Sequence, residues 1–246
     1  MTVSVQSGTG LSVHGPTAGM VGQFGLLTAL AASVGLGFAG WLTGAAYAVI
    51  IWVVLSQALH RSGMRSLGPA NTVTLARATL AGGVVALVAD SLWAATPVPV
   101  LVSLAAVALL LDGVDGQVAR RTGTTSPLGA RFDMEVDAVL VLALSVLVGR
   151  SLGWWVLAIG GFRYVFVAAA WALPWLRASL PPRFSRKTVA ALQGIVLVVA
   201  SAGVVPVALM TASVGLALAL LCWSFGRDVG WLWRARGPRV EVAFAH

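Results

Sequence analysis

The chain has 246 residues, of which 59% are hydrophobic and only 10% charged, and its mean hydropathy is +0.92. Long runs of Ala, Val, Leu and Gly with so few charges exclude an ordinary soluble domain and indicate an integral membrane protein. Because the apolar runs are continuous and do not alternate with polar residues, they exclude an outer-membrane β-barrel and predict membrane-spanning helices.

The formal net charge of +8 comes from sixteen basic residues, all but one of them Arg, against eight acidic ones. The basic residues stand in short clusters between apolar segments. This is the pattern of cytoplasmic loops under the positive-inside rule, and it excludes one soluble patch for nucleic acid. The single Cys222 lies in an apolar run, which excludes a disulfide framework and a cysteine-based zinc site.

The chain begins with residues 1–20, which contain no Lys, Arg, Asp or Glu. A secretory signal needs positive charge before its apolar core, so we expect a flexible, uncleaved N-terminal tail. Residues 22–59 are too long for one ordinary span, and the sequence GWLTG at 40–44 suggests a turn. We therefore predict a transmembrane hairpin over residues 21–60. A single tilted helix is the alternative, and it would place the N-terminus outside.

Hydropathy predicts six further spans, at about residues 72–90, 97–120, 128–149, 153–175, 188–207 and 211–231. The prediction is an all-α polytopic protein of about eight transmembrane helices, with a six-helix core over residues 61–234 and a C-terminal tail over 235–246. The basic clusters between spans fall on one side of the membrane, whereas the opposite connections hold only Asp90 and Arg150. Both termini are therefore expected in the cytoplasm.

Five of the eight acidic residues lie in the stretch LLDGVDGQVARRTGTTSPLGARFDMEVDAVL at 110–140. One helix face carries, at spacing i, i+3, i+4, i+7 and i+8, the residues Asp112, Asp115, Gly116, Ala119 and Arg120. The next helix carries, at i, i+4 and i+8, Gly129, Asp133 and Asp137. The short Gly/Pro/Thr-rich link makes these helices antiparallel neighbours. Four carboxylates are thus expected to converge at the cytoplasmic end of a helix pair.

Four anions held so close repel one another unless cations neutralise them. Oxygen ligands without nearby Cys or His favour Mg²⁺ or Mn²⁺ over zinc, and two such ions suit phosphoryl chemistry on a diphosphate. The small Gly116 and Ala119 would let a nucleotide approach the backbone closely, and Arg120 is placed to bind a phosphate through two hydrogen bonds.

These eight positions resemble the signature D-x2-D-G-x2-A-R-x8-G-x3-D-x3-D of the CDP-alcohol phosphotransferase (phosphatidyltransferase) family, without a departure. Upstream, PANTVTLAR at 69–77 resembles the Pro-Asn, Thr-Leu and Arg pattern before that family's first core helix, with Ala70 between the Pro and Asn71. The resemblance covers about residues 65–232. It implies a six-helix enzyme, usually a homodimer, that transfers a phosphate-linked alcohol from a CDP-activated donor to a hydroxyl acceptor and releases CMP.

The resemblance also implies roles for individual residues. The metal ligands would be Asp112, Asp115, Asp133 and Asp137, and Asp137 would also be the base for the incoming hydroxyl. The CDP site would be lined or bordered by Gly116, Ala119, Arg120, Gly129, Asn71, Thr74 and Arg77.

A second group of basic residues is a candidate pocket for a phosphate on the acceptor, such as glycerol 3-phosphate or inositol phosphate: Arg121, Arg163, Arg186, Lys187 and Arg227. The alternatives are that they serve topology and lipid attraction, that Arg163 pairs for structure alone, and that Arg227 pairs with Asp228 or caps its helix. A phosphorylated acceptor favours phosphatidylglycerol-phosphate or phosphatidylinositol-phosphate synthesis. Cardiolipin-synthase-like transfer to phosphatidylglycerol is the alternative reaction.

Two other functional classes bind divalent ions through acidic residues in membranes. A prenyltransferase would show two Asp-rich motifs, and a divalent-cation transporter would place its acids near the bilayer midplane. One bipartite cluster at one membrane face, beside Arg120 and Arg121, disfavours both. We expect an enzyme of the cell inner membrane whose active site faces the cytoplasm, with a CDP-alcohol lipid, a hydroxyl acceptor and bilayer lipids as its partners.

Overall fold

Helices account for nearly all of the chain that the computed structural model describes, namely residues 14–62, 69–122, 127–178 and 184–234. The α-helices are α1 (His14–Val34), α2 (Phe38–Ser62), α3 (Pro69–Asp90), α4 (Val98–Thr122), α5 (Pro127–Leu152), α6 (Leu157–Ala172), α7 (Phe184–Ala202) and α8 (Val207–Arg234). Short 3-10 helices at Trp154–Val156 and Pro174–Arg177 flank α6. No strand occurs in the described ranges, which confirms the all-α prediction.

Five stretches within the described ranges are long and apolar enough to cross a membrane: Pro16–Val34, Phe38–His60, Thr72–Asp90, Trp154–Ala172 and Val207–Arg234. A shorter apolar helical stretch covers Val98–Val114. A helix needs about 20 mainly apolar residues to cross the hydrocarbon layer. These lengths confirm a helical polytopic membrane protein.

The six core helices lie close to the predicted spans. The clearest difference is the end of α7, which we predicted at residue 207 and which the structure places at Ala202. The helix ends there because Gly203 adopts a φ of 66°, a left-handed conformation that terminates helices. Pro206 then precedes α8, and its carbonyl accepts a hydrogen bond from the Met210 amide at 3.0 Å.

The leading apolar segment forms two helices, α1 and α2. The turn between them lies at residues 35–37, so our prediction of a turn at GWLTG was wrong, since residues 40–44 lie inside α2. Gly35 has a φ of 75°, and its amide donates to the Ala31 carbonyl at 3.2 Å, which ends α1. Gly44 serves packing instead, because a Cβ there would lie 2.6 Å from the Leu27 side chain.

Helix α1 begins at His14, so residues 14–20 of the expected flexible tail are helical. The first 13 residues lie outside the described ranges, as does the predicted C-terminal tail at 235–246.

The chain divides into two compact units, Met1–Leu140 and Val141–His246, with the boundary inside α5. In the first unit α3 packs against α1, α2 and α4. Its membrane span is 61% buried, against 17% for α1 and 28% for α2. Asp90 at the end of α3 accepts a hydrogen bond from the Gly37 amide at 3.1 Å, which ties the α1–α2 turn to this central helix. In the second unit α7 packs against α8.

Candidate active site

A buried arginine joins three helices of the first unit. Arg77 on α3 is 1% exposed, and its guanidinium forms ion pairs with Asp112 on α4 and with Asp133 and Asp137 on α5. The distance from Arg77 Nη2 to Asp112 Oδ1 is 3.0 Å. Nη1 binds Asp133, Nη2 also binds Asp137, and Nε donates to the Ala108 carbonyl at 3.2 Å. All three guanidinium nitrogens are engaged, so the orientation of the group is fixed.

Helical spacing explains how so few residues lock three helices together. Asp133 and Asp137 are four residues apart on α5, and Ala108 and Asp112 are four apart on α4. Residues at this spacing lie one above the other on the same helix face. Arg77 therefore contacts two successive turns of each neighbouring helix, which sets the register of α3 against both.

The carboxylates are more accessible than the arginine that holds them. The side chains of Asp112, Asp133 and Asp137 are 41%, 35% and 40% exposed. One carboxylate oxygen from each lies within 4.8 Å of the others. Three negative charges and one positive charge leave this group, which we call the acidic site, with a formal charge of −2.

This geometry fits a divalent cation. Oxygen atoms bound to one Mg²⁺ lie about 3 to 4 Å apart, because each metal–oxygen bond is about 2.1 Å long, and the three oxygens here lie within 4.8 Å of one another. The donor set is carboxylate oxygen only, which Mg²⁺ and Mn²⁺ prefer. The net charge of −2 matches the charge of one such ion. The three residues therefore form a candidate metal site in which Arg77 already neutralises one carboxylate.

The remaining residues expected at this site lie on the same helices. The side chains that fall outside the described part of the structure are those of Asp115, Gly116, Ala119, Arg120 and Arg121 on α4 and of Asn71 on α3. Helix α4 is nevertheless continuous to Thr122, as a shared helix face requires. Thr74 is buried on α3, three residues before Arg77, and the partly exposed Gly129 precedes Asp133 by four residues on α5.

The second unit contains a separate group of charges on α7 and α8. Arg186 Nε lies 3.2 Å from Asp228 Oδ2. Arg227 Nη2 donates to Ser185 Oγ at 2.8 Å, and its guanidinium carbon lies 4.6 Å from the Trp223 ring centroid. Asp228 therefore pairs with Arg186, whereas we had considered it as a partner of Arg227.

Two other predicted acceptor residues belong to this unit. Lys187 is exposed on α7, and Arg163 is partly exposed on α6. We call Arg186, Lys187, Arg227 and Asp228 the basic group, and its formal charge is three positive minus one negative, or +2.

The sequence did not reveal the central position of Arg77 or the burial of Asp228. We had placed Arg77 at the border of a nucleotide site, but the structure engages its whole guanidinium with the carboxylates and Ala108. A signal was present in both cases, because each residue is a charge in a mainly apolar helix of membrane-spanning length, where charged residues usually face a partner.

Comparison with known proteins agrees with the family resemblance found in the sequence. A model of the CDP-alcohol phosphatidyltransferase family matches residues 67–223, which is more than half of the chain and includes all residues of the acidic site. The comparisons with curated proteins and with solved structures gave no match. From the extent of the family match, this chain belongs to the CDP-alcohol phosphatidyltransferase family.

Proposed function

We propose that the protein transfers a phosphatidyl group from a CDP-alcohol such as CDP-diacylglycerol to the hydroxyl of an acceptor. The acceptor oxygen forms a bond to the lipid-linked phosphorus, the bond from that phosphorus to the CMP phosphate breaks, and CMP leaves. Family membership supports the general reaction. The observation that carries the proposal is the meeting of Asp112, Asp133 and Asp137, from two helices, in one partly exposed site.

The cofactor we propose is Mg²⁺ or Mn²⁺, with two ions as the expected number. The residues that would hold it are Asp112, Asp115, Asp133 and Asp137, a set of hard oxygen donors. A bound divalent ion would neutralise the diphosphate oxygens and favour departure of CMP.

Asp137 is the proposed general base. It would accept the proton of the incoming hydroxyl, since an ionised carboxylate accepts hydrogen bonds and protons but donates none. Its contact with Arg77 holds the carboxylate in place. We accordingly propose that Arg77 orients Asp133 and Asp137, and its expected position at the border of the CDP site remains part of the proposal.

The nucleotide would lie along α4 and the facing helices. The proposed CDP-binding residues are Gly116, Ala119, Arg120, Gly129, Asn71 and Thr74. Among these, Arg120 would bind a phosphate, because a guanidinium forms paired hydrogen bonds with phosphate oxygens. Glycine and alanine at 116 and 119 leave room for the ribose and base beside the backbone.

The acceptor we favour carries a phosphate, as glycerol 3-phosphate and inositol phosphate do. The proposed contacts are Arg121, Arg163, Arg186, Lys187 and Arg227. Support comes from the basic group, whose +2 charge would attract an anion. Phosphatidylglycerol, the acceptor of a cardiolipin-synthase-like reaction, also carries a phosphate and is the second candidate. The family match argues against a prenyltransferase or a cation transporter.

The cellular setting follows from charge distribution. We propose a homodimer in the cell inner membrane, with the acidic site and both termini facing the cytoplasm. The orientation is supported by the positive-inside rule, since Arg120, Arg121 and Arg131 flank the acidic residues in the sequence. The homodimer rests on the resemblance described above.

The test is CMP release by the purified full-length protein in lipid nanodiscs containing CDP-diacylglycerol. Glycerol 3-phosphate, inositol phosphate and phosphatidylglycerol are supplied separately, each with Mg²⁺, with Mn²⁺ or with a chelator. We expect metal-dependent CMP release with one of these acceptors and none with the chelator. CMP release that survives the double substitution Asp112→Asn and Asp133→Asn would contradict the proposal, as would the absence of release with every acceptor.

A further inference from the structure

A cavity lies between α1, α2 and α3 in the first unit and includes none of the residues of the acidic site. It holds about 240 Å³ of empty space, its open mouth included. The polar side chains that line it are Gln23, Tyr47, Trp52 and Thr79. Partly exposed Met20 and Ile51 also line it, so the cavity opens to the surface between α1 and α2.

Gln23 brings an unsatisfied amide to this cavity. The residue is only 2% exposed, and neither its Nε2 nor its Oε1 has a hydrogen-bond partner within the described part of the chain. Trp52 Nε1 is likewise buried there without a partner. A buried polar group without a partner is strongly unfavourable, and more so in a bilayer where water is scarce. Both side chains therefore lack hydrogen bonds that a bound ligand would supply.

The position of Gln23 is shaped by the residue that faces it on α3. A Cβ at Gly82 would collide with Gln23 Oε1 and would lie 2.7 Å from Gln23 Cδ and 2.6 Å from the Tyr47 ring. A larger residue at position 82 would therefore force this amide or the Tyr47 ring to shift, and glycine lets the amide lie between α1 and α3.

The unmatched atoms specify the chemistry of the ligand. They comprise one acceptor, Gln23 Oε1, and the N–H donors of Gln23 Nε2 and Trp52 Nε1. Thr79 already donates to the Leu75 carbonyl at 3.1 Å. A carbonyl group would accept hydrogen bonds but leave Oε1 unmatched, whereas a hydroxyl group both donates and accepts. No charged residue lines the cavity, so an ion would lack a counter-charge.

The depth and volume of the cavity limit the size of that ligand. Gln23 lies seven residues into the span that starts at Pro16, which is about 10 Å along the helix, or a third of a hydrocarbon layer about 30 Å thick. Most of the 240 Å³ belongs to the open mouth, and the enclosed part has room for about one water-sized group. It admits a single hydroxyl group, with the rest of a lipid in the mouth and the bilayer, or a water molecule.

We propose that this cavity is a binding site for a hydroxyl group, which donates to Gln23 Oε1 and accepts from Gln23 Nε2 and Trp52 Nε1. The hydroxyl belongs either to a neutral lipid with a free glycerol hydroxyl or to a water molecule. The site is independent of the transferase proposal.

The lipid source is tested by thermal unfolding of the full-length protein in detergent, with added 1,2-dioctanoylglycerol or with its methyl ether, which cannot donate a hydrogen bond. We expect the diacylglycerol to raise the Tm of the wild type saturably and the ether to leave it unchanged. Gln23→Leu should abolish the shift, and Trp52→Phe should require about tenfold more lipid, the effect of losing one hydrogen bond of about 1.4 kcal/mol.

Matched controls separate this site from general effects on folding. Gln193 is also buried, at 3% exposure, but its Nε2 donates to the Ala217 carbonyl at 2.9 Å. Gln193→Leu should therefore keep the lipid-dependent shift. Asp133→Asn should keep it too, because the acidic site takes no part.

The water source is tested by magnetic resonance on the wild type without added lipid. A water contact to the Gln23 side-chain amide, assigned from its loss in Gln23→Leu, identifies water as the bound hydroxyl and supports the proposal if lipid gives no shift. A lipid shift that persists in Gln23→Leu would overturn the proposal. The combination of no lipid shift and no water contact would overturn it as well.

Discussion

Each of the two charged groups of this protein contains one buried residue whose charge is opposite to that of the others. In the acidic site three aspartates surround Arg77, and the formal charge is −2. In the basic group three cations accompany Asp228, and the formal charge is +2. In each group the single residue whose charge is opposite to that of the others is the more buried. Arg77 is 1% exposed against 35–41% for its aspartates, and the Asp228 side chain is 7% exposed against 32% for Arg186.

This difference in burial shows how each group is organised. In the acidic site the buried Arg77 contacts all three aspartates, whereas in the basic group the buried Asp228 pairs with Arg186. In both groups the more exposed side chains carry the uncompensated charge. Such a group attracts a ligand of opposite sign. These charges are the reason why we propose a divalent cation at the acidic site and a phosphate at the basic group. We call the buried residue of each group, Arg77 or Asp228, its organiser. Substituting the organiser and the exposed charged residues separately tests this comparison.

The largest expected effect is on turnover in Asp137→Asn. Loss of a general base lowers the rate by about 10²- to 10⁴-fold, and we expect CMP release to fall within that range. Asp137→Asn should keep CDP binding better than Asp112→Asn does, because Asp112 is proposed as a metal ligand only. CMP release and equilibrium binding of CDP measure the two properties.

Glu135→Gln is the matched control, since Glu135 is an exposed acid on the same helix, two residues from both Asp133 and Asp137. Turnover in Glu135→Gln should stay within about threefold of wild type, as expected for a residue outside the reaction. Equal loss of CDP binding in Asp137→Asn and Asp112→Asn would contradict the division of roles between the two aspartates.

Replacing the organiser Arg77 should affect both stability and metal binding. Arg77→Gln leaves three carboxylates facing one another, and we expect a stability loss of about 1–3 kcal/mol, between the values for exposed and buried pairs. The same change removes a competing positive charge, so Mn²⁺ should bind more tightly and raise the Tm by more than in wild type. Thermal unfolding with and without Mn²⁺, together with direct Mn²⁺ binding, measures both effects.

Arg77→Lys separates charge from geometry. Lysine keeps the positive charge but cannot span three carboxylates as a guanidinium does. We expect an intermediate stability and a Mn²⁺ affinity close to that of the wild type. If Arg77→Gln were as stable as the wild type and bound Mn²⁺ no differently, Arg77 would not organise the site.

The sequence alone predicts some of the structural features behind these predictions but not others. The helices and the meeting of Asp112 with Asp133 and Asp137 could be predicted, because apolar length and a spacing of 3.6 residues per turn are local properties. The position of Arg77 at the centre depends on the packing of α3 against α4 and α5, which the local pattern does not contain.

The misplaced hairpin turn has a related cause. Glycine serves both turns and close helix packing, and sequence spacing alone does not separate the two uses. Gly35 ends α1 with a positive φ, whereas Gly40 and Gly44 lie inside α2, where an added Cβ would meet side chains of Leu36 and Leu27. The partner residues decide the use, and they are known only once the fold is known.

A smaller effect is expected in the basic group. Arg186→Gln should raise the KM for a phosphorylated acceptor about tenfold with little change in kcat, because a charged hydrogen bond that serves binding alone is lost. Asp228→Asn should raise this KM too, although it removes a negative charge, since Arg186 would lose its partner. Steady-state CMP release at varied acceptor concentration measures both constants.

Arg234→Gln is the control for this group, because Arg234 is an exposed cation at the end of α8. Its KM for the acceptor should match that of the wild type. If Asp228→Asn instead lowered the KM, simple charge attraction would suffice, and Asp228 would not act as the organiser of the basic group.

Effects on stability alone are expected in the hairpin that supports α3, the helix that carries Arg77. Gly44→Ala should destabilise the protein by a net of about 0.5–2 kcal/mol, because the cost of overpacking, about 1–3 kcal/mol, exceeds the gain in helix propensity, about 0.5–1 kcal/mol. The added Cβ would lie 2.6 Å from Leu27 and 3.2 Å from Ala86 on α3. Gly25→Ala should instead stabilise by about 0.5–1 kcal/mol through helix propensity, since no atom lies within 4 Å of an added Cβ there. Opposite signs in thermal unfolding would establish α1 and α2 as a packed part of the first unit, and a neutral Gly44→Ala would show that the hairpin contributes little to holding α3.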